Sequence, residues 1–448
     1  MKPPKTQIDP NGDLFRIRLE KICDPDHPLV KLSNRVDWTG IEDRFEPLYA
    51  EKGRPGVRIR LLAGLTLLQS LQGLSEEEVV DRWPENPYWQ FLCGESYFCH
   101  KKPIHRTDLG RWRRRIGEDG LEFLLSETIR LGQATGAVKA SSLERVSVDT
   151  TVQPKNISYP TDSKLLNRSR VRLVRLSARF GVALRQSYHR LGPQALLAAN
   201  RYAHARQMKR MAREVRTLRT YLGRVVRDVE RKMPENPEQT TLLQEELAKA
   251  RQLLAQQRQD KNKLYSLHEP QVVCIAKGKA HKPYEFGCKV SLAVTNREGF
   301  VVGAHALAGN PYDGHTLGNT LDQVTKLTGV RPKRAYVDRG YRGHNVTSTQ
   351  VFISGQRRSV TPTIRKELRR RSAIEANIGH QKNDGRLGRN FLRGAFGDQA
   401  NAILCAIGSN LRLLLRWLRS LFAWILMLLI GGYRAESASY PAKPLCVA

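Results

Sequence analysis

Three acidic residues stand apart from the other Asp and Glu of this chain by their place in the sequence pattern. Val146 and Val148 alternate with polar residues at period two, and the run closes on Asp149, Thr150 and Thr151, as a strand ending on an aspartate does. A second short run, 334–337, closes on Asp338, and Glu375 follows in a basic stretch predicted as one helix over about 363–382. Strand ends are where side chains leave a packed sheet and can converge on a site. Hard divalent cations such as Mg²⁺ take oxygen ligands, a few carboxylates among them, and keep positions for water and phosphate. Two such ions about 4 Å apart can activate an attacking oxygen and stabilise a leaving one in phosphoryl transfer. Asp149, Asp338 and Glu375 are therefore the candidate metal ligands and the candidate catalytic residues, for two Mg²⁺ ions with Mn²⁺ as a substitute. Arg371 lies four residues before Glu375 and Lys382 seven after it. On one continuous helix all three project from about one face, a carboxylate between two cations suited to a phosphate backbone.

The elements that must hold these residues are read from hydrophobic period and turn chemistry. Residues 1–135 read as an N-terminal helical domain, with a helix over 57–71 ended by Gly73 and a capping box of Ser75 and Glu78 opening the next. After Thr107 a third helix carries Arg111, Arg113, Arg114 and Arg115, read as a row of forked cations for phosphate oxygens. A helix–turn–helix reader of DNA fits this segment, and so do three helices packed only on each other. A sheet domain is expected over 140–432, with a hairpin of 288–295 and 300–308, a helix over 315–327 before which Asp313 reads as a cap or else as a fourth acid of the site, the cap being the simpler, and strands at 334–337 and 350–354. The fold class is α/β, a mixed sheet flanked by helices.

That sheet is interrupted over 163–268, where 24 Lys plus Arg stand against 8 Asp plus Glu, a net +16. Half of the whole chain's formal +32 thus falls in under a quarter of its 448 residues. Such an excess suits a polyanion, because each phosphate neutralised releases a condensed counterion. Met208, Met211, Val215, Leu218, Leu222, Val225 and Val229 form one helical seam and Leu243, Leu247, Ala250 and Leu254 another, joined across Pro234 and Pro237. The insertion therefore reads as an antiparallel helical hairpin, a basic arm for DNA or for a second subunit. The seven cysteines are odd in number and scattered, as in a reduced cytoplasmic protein, and no signal segment is read at the start. The apolar run 421–430 is ten residues long, short of the roughly 20 that cross a bilayer. No membrane role is expected, and 433–448 reads as a flexible tail.

The motifs Val148-Asp149-Thr150-Thr151, Tyr336-Val337-Asp338-Arg339-Gly340-Tyr341, and Arg371 with three residues to Glu375 and six more to Lys382 resemble the DDE transposases of bacterial insertion sequences. The pattern is most like insertion sequence family five, in the group with a Tyr–Arg–Glu–Lys signature around the third acid. Leu368 stands where that signature has its tyrosine. The resemblance implies an RNase H-like core and a metal-dependent enzyme that binds the terminal inverted repeats of its own element, exposes 3′ hydroxyls and joins them to target DNA. It further implies at least a homodimer on DNA, acting at the nucleoid, with Arg371 and Lys382 holding phosphate. A water or DNA hydroxyl is then the nucleophile, which leaves Tyr341 without that role. A transposase-derived DNA-binding protein that no longer cuts is the alternative, and a lost acid would mark it; all three acids are present.

Overall fold

The computed structural model describes residues 16–431 other than 54, 258, 280 and 281. The tail expected over 433–448 lies outside the described residues, as do the side chains of 421–430. No helix among the described residues is long and apolar enough to cross a membrane.

Before the first strand come α1 (Leu19–Ile22), α2 (Pro28–Ser33), α3 (Trp38–Phe45), α4 (Ile59–Gln72), α5 (Glu76–Arg82), α6 (Pro87–Leu92) and α7 (Arg106–Ala134). α4 is buried along nearly its whole length and stops at Gly73, whose φ of 64° is a left-handed conformation that glycine takes without steric cost. The capping box is present: Glu78 N–H donates to Ser75 Oγ at 3.1 Å, and Ser75 N–H to Glu78 Oε2 at 2.7 Å. These helices are not packed only on each other. α4 and α7 both lie against α15 (Gly394–Gly431), and one apolar cluster runs from Leu65 and Trp112 to Val146, Val290 and Leu411.

Six strands form one mixed sheet: β1 (Arg145–Pro154), β2 (Val273–Lys279), β3 (Lys282–Thr295), β4 (Val301–Leu307), β5 (Arg334–Val337) and β6 (Gln350–Ile353). β3 pairs antiparallel with β1 on one side, while β2 and β4 divide its other side between them. β1 pairs in parallel with β5, and β5 in parallel with β6. The expected hairpin is β3 and β4, but β3 begins six residues earlier than read, and β2 was not anticipated. β1 does not end on Asp149. It continues to Pro154 because β3 pairs with it as far as Pro154↔Gly287, whereas β5 leaves it after Ser147↔Tyr336.

Between β1 and β2 the insertion is four helices and not a hairpin: α8 (Asp162–Arg179), α9 (Leu191–His204), α10 (Met208–Arg231) and α11 (Pro237–Ala255). It has its own apolar cluster, in which Leu166 and Leu173 of α8 meet Leu222 and Val229 of α10 and Leu243 and Leu247 of α11. Only the C-terminal half of the first seam is buried; Met208 is exposed. After β4 comes α12 (Asp313–Thr328), and after β6 the single helix expected over 363–382 is two, α13 (Pro362–Arg370) and α14 (Ala373–Asn383). The break falls at Arg371 and Ser372, where the tight bonds Ile374 N–H to Arg371 O and Glu375 N–H to Ser372 O restart the helix.

Candidate active site

The parallel register of Ser147 with Tyr336 carries forward two residues to set Asp149 beside Asp338. This is where β5 leaves β1, at the strand from which the sheet turns parallel on one side and antiparallel on the other, a usual place for a crevice. Asp149 accepts the N–H of Thr150 at 2.8 Å, and Asp338 that of Gly340 at 2.7 Å. Gly340 is hemmed in by carboxylates. A Cβ there would meet Asp338 Oδ1 at 3.0 Å and Asp313 Oδ2 at 3.3 Å. Burial pushes the Asp149 carboxyl up to about 6, with the charges of Asp338 and Glu375 in the same direction and Thr150 N–H and Arg371 opposed.

Arg371 connects the strands to the helix. At the joint its side chain turns inward, only 11% exposed, with Nη1 3.5 Å from Asp149 Oδ2 and Nη2 3.6 Å from Glu375 Oε1. Nη1 is buried and makes no hydrogen bond. Glu375 itself is 69% exposed. The break in the helix therefore parts Arg371 from the outer face on which one continuous helix would have shown it. What fixes the joint is Glu367, a residue the sequence reading did not single out. It accepts from Arg145 Nη1 at 3.1 Å, Arg334 Nη1 at 2.9 Å and the Tyr336 hydroxyl, so the end of α13 is bound to the starts of β1 and β5. Burial works against its charge, but Tyr336, Arg145 and Arg334 together hold its carboxyl below the usual range. Its place one helical turn before Arg371 was the only local signal.

Asp313 is not the cap it was expected to be. Tyr312 holds the cap position of α12, and the Asp313 carboxylate instead accepts from Thr150 Oγ1 and Lys289 Nζ, each at 2.9 Å. It is thus a fourth acid beside Asp338. Tyr341 lies fully buried beneath the cluster. Burial raises its pKa, and so do the charges of Asp149, Asp313 and Asp338, an environment opposed to a phenolate nucleophile.

The remaining predicted residues lie elsewhere. Lys382 lines a groove with Pro154, Arg386 and Arg389. Of the arginines of α7, Arg111, Arg114 and Arg115 stand at i, i+3 and i+4 on one exposed face, while Arg113 turns off it and is half-buried. Arg111 pairs with Asp108, Arg113 with Glu76, Arg114 donates to Gly110 O, and Arg115 stands over the ring of Tyr49. The donor set of the acid cluster is all oxygen, the chemistry a hard divalent cation takes. Among the described residues no three His, Cys, Asp or Glu side chains are gathered as a metal-binding group; Arg371 is in contact with both Asp149 and Glu375.

Residues 17–115 match the family described as "Transposase domain (DUF772)", and residues 256–411 match "Transposase DDE domain". The chain belongs to the insertion-sequence DDE transposases. Asp338, Arg371, Glu375 and Lys382 of this transposase fall inside the second match; Asp149 lies between the two. A protein of Rhizobium meliloti, "Uncharacterized protein ORF8 in nfe locus", is 47% identical to the transposase over 207 residues, 46% of this chain and the whole of that protein. No solved structure matches it.

Proposed function

We propose that this transposase binds the terminal inverted repeats of its element, cleaves the DNA to expose 3′ hydroxyls and joins them to target DNA at Asp149, Asp338 and Glu375. The observation that carries the reading is the nearness of Asp149 on β1 to Asp338, the residue just past the end of the parallel strand β5, with Arg371 in contact with both Asp149 and Glu375. Asp149, Asp338 and Glu375 would hold two Mg²⁺ ions, which when bound supply activation of the attacking oxygen and stabilisation of the leaving one. Arg371 has a half-used guanidinium at the crevice, suited to grip a phosphate once the acids turn to the metal. Asp313, tied by Thr150 and Lys289, holds its side of the crevice rigid.

The strand order, with β4, β3 and β1 antiparallel and β5 and β6 parallel to β1, supports an RNase H-like core for this domain. Two DNA ends must meet in one reaction, so a homodimer on DNA, acting at the nucleoid in the cytoplasm, is part of the reading. The assignment to insertion sequence family five rests on the motif spacing, with Leu368 as its departure. The test is incubation of the purified protein with a labelled element end, with and without Mg²⁺. Nicking and strand transfer that need the metal are expected. A protein that binds the end and never nicks it, under any divalent cation, would be the non-cutting alternative.

A further inference from the structure

Outside the acid cluster, charge is one-sided at the root of the insertion. Lys164, Arg168, Arg172 and Arg175 recur on α8 at spacings of four, four and three, which places them along one face. All four line one cavity of about 350 Å³, and no Asp or Glu lines it. Arg172 is partly neutralised by Glu246 at 2.8 Å, while Lys164, Arg168 and Arg175 have no acidic partner among the described residues. The opposite wall includes Tyr159, 63% exposed, and His268.

The lip of this cavity abuts the loop that leads into α15. Glu269, next to His268, accepts Gly394 N–H at 3.1 Å, and Lys155 Nζ donates to Leu392 O at 2.8 Å, so Arg393 is pinned beside the cavity. Burial first, and then the charges of Arg393, Arg172 and Arg168, hold the His268 imidazole below its usual range against the pull of Glu269. From Arg393 the loop runs back past the half-exposed ring of Phe391, with the guanidinium groups of Arg386 at 4.7 Å and Arg389 at 5.6 Å from its centroid. Phe391, Arg386 and Arg389 line the same groove as Lys382, on the helix that carries Glu375, with Glu78 and Glu285 also on its walls. The basic surface therefore has an outer end on α8 and an inner end near the acids.

We propose that the α8 stripe and the 386–393 loop form one continuous track for the sugar–phosphate backbone of a DNA strand, with the insertion as its outer part. The proposal rests on the reading of this protein as a DNA-acting enzyme and adds where the strand lies. From Lys164 to Arg175 the stripe runs eleven residue steps, about 16 Å at 1.5 Å per step, which corresponds to about five nucleotides at 3.4 Å each. Contacts of this kind position DNA without reading its sequence.

The test uses the full-length chain and a labelled duplex of arbitrary sequence, titrated at several salt concentrations. In one variant Lys164→Gln, Arg168→Gln and Arg175→Gln are combined, leaving the Arg172–Glu246 pair in place. In a second, Arg213→Gln, Arg216→Gln and Arg227→Gln remove the same charge from exposed positions on α10. The stripe variant is expected to lower the slope of log affinity against log salt by about 2 to 3, at roughly 0.9 per phosphate contact, and to weaken binding accordingly. The α10 variant should leave the slope unchanged, and Arg168→Lys with Arg175→Lys should restore it when combined with native Lys164. Equal losses in both Gln variants, or none in the stripe variant while the native protein binds, would overturn the track. A stripe variant that changes only the oligomeric state would assign the face to a second copy and overturn it too. Failure of the native protein to bind DNA at all would instead sink the functional reading itself.

Discussion

Two groups of ionised side chains are fastened to β1 and its exit, and they are built in opposite ways. At Lys155, just past the strand, the ammonium is 2% exposed and meets Asp398 at 2.9 Å, Glu269 at 3.1 Å and the carbonyls of Leu392 and Gly394. Asp398 is further bonded by Asn390 at 2.7 Å. Every charge there has a close partner, and the group ties β1, the exit from the insertion and the start of α15 together. At Asp149 one guanidinium faces two carboxylates, Asp149 at 3.5 Å and Glu375 at 3.6 Å, the charge of Asp338 acts on Asp149 as well, and the Asp149 carboxyl is pushed up to about 6. A satisfied cluster has nothing left to offer a ligand. An under-neutralised one in a crevice holds free energy that only a further positive charge can release, which is why the second group, and not the more deeply buried first, reads as functional.

That contrast is broken most directly by removing one acid. Asp149→Asn, Asp338→Asn or Glu375→Gln should each cut end cleavage by on the order of a thousandfold, since losing several kcal/mol of transition-state stabilisation costs a factor of ten per 1.36 kcal/mol. Each should leave duplex binding and the urea midpoint unchanged or slightly raised, because a like charge is removed. Cleavage within tenfold of the native rate in any of the three would deny that acid its role. Lys155→Met should behave in the reverse manner. It strands two buried carboxylates and should cost about 3–5 kcal/mol of folding stability, read by urea unfolding. Replacing the whole group by Lys155→Met, Glu269→Gln and Asp398→Asn should cost less than the single change; a larger loss would contradict the view of it as a paired lock.

A smaller effect sharpens the role of the insertion. Its separate apolar cluster predicts that an internal deletion of 201–265 alone would expose the apolar side of α8, whereas replacing all of 161–267 by a short linker leaves the other cluster whole. The second protein should melt cooperatively and bind duplex DNA with a reduced salt slope. Aggregation of the full replacement, with the internal deletion well folded, would reverse this assignment.

How much of this could be read from sequence depends on whether the cause was local. Asp338 was legible because a short apolar run ends on it and Arg-Gly follows, so strand end and turn share one signal. Asp149 was recognised but misplaced: nothing between 149 and 154 says that β3 continues the pairing that β5 abandons. The joint at Arg371 carried only a faint signal, the single Ser372 that opens α14 in a stretch otherwise rich in Arg, Lys, Glu, Leu and Ala. The insertion was found by its charge and mistaken in its count, because the apolar positions of α8 are diluted by six arginine and lysine residues. Asp313 looked like a cap because an acid before a helix usually is one; Thr150 and Lys289, distant in sequence, claimed it.

Glu367 gives the finest test of how the two clusters differ, because it is a satisfied carboxylate in the service of the unsatisfied group. Glu367→Gln keeps the shape but removes the charge that binds Arg145, Arg334 and Tyr336, and should cost about 1–3 kcal/mol. Its carboxyl is held below the ordinary value of 4.5, so its contribution is fully present above that pH and is lost as pH falls through the lower, folded value. The difference in urea stability between native protein and variant should therefore be constant above about pH 5 and shrink in more acid solution. At neutral pH the variant should also cut more slowly than its stability explains, because Arg371, one turn on, loses its anchor to β1 and β5. A variant destabilised as expected, with unchanged turnover under conditions where it is fully folded, would separate Glu367 from the positioning of Arg371 and leave it only a structural tie.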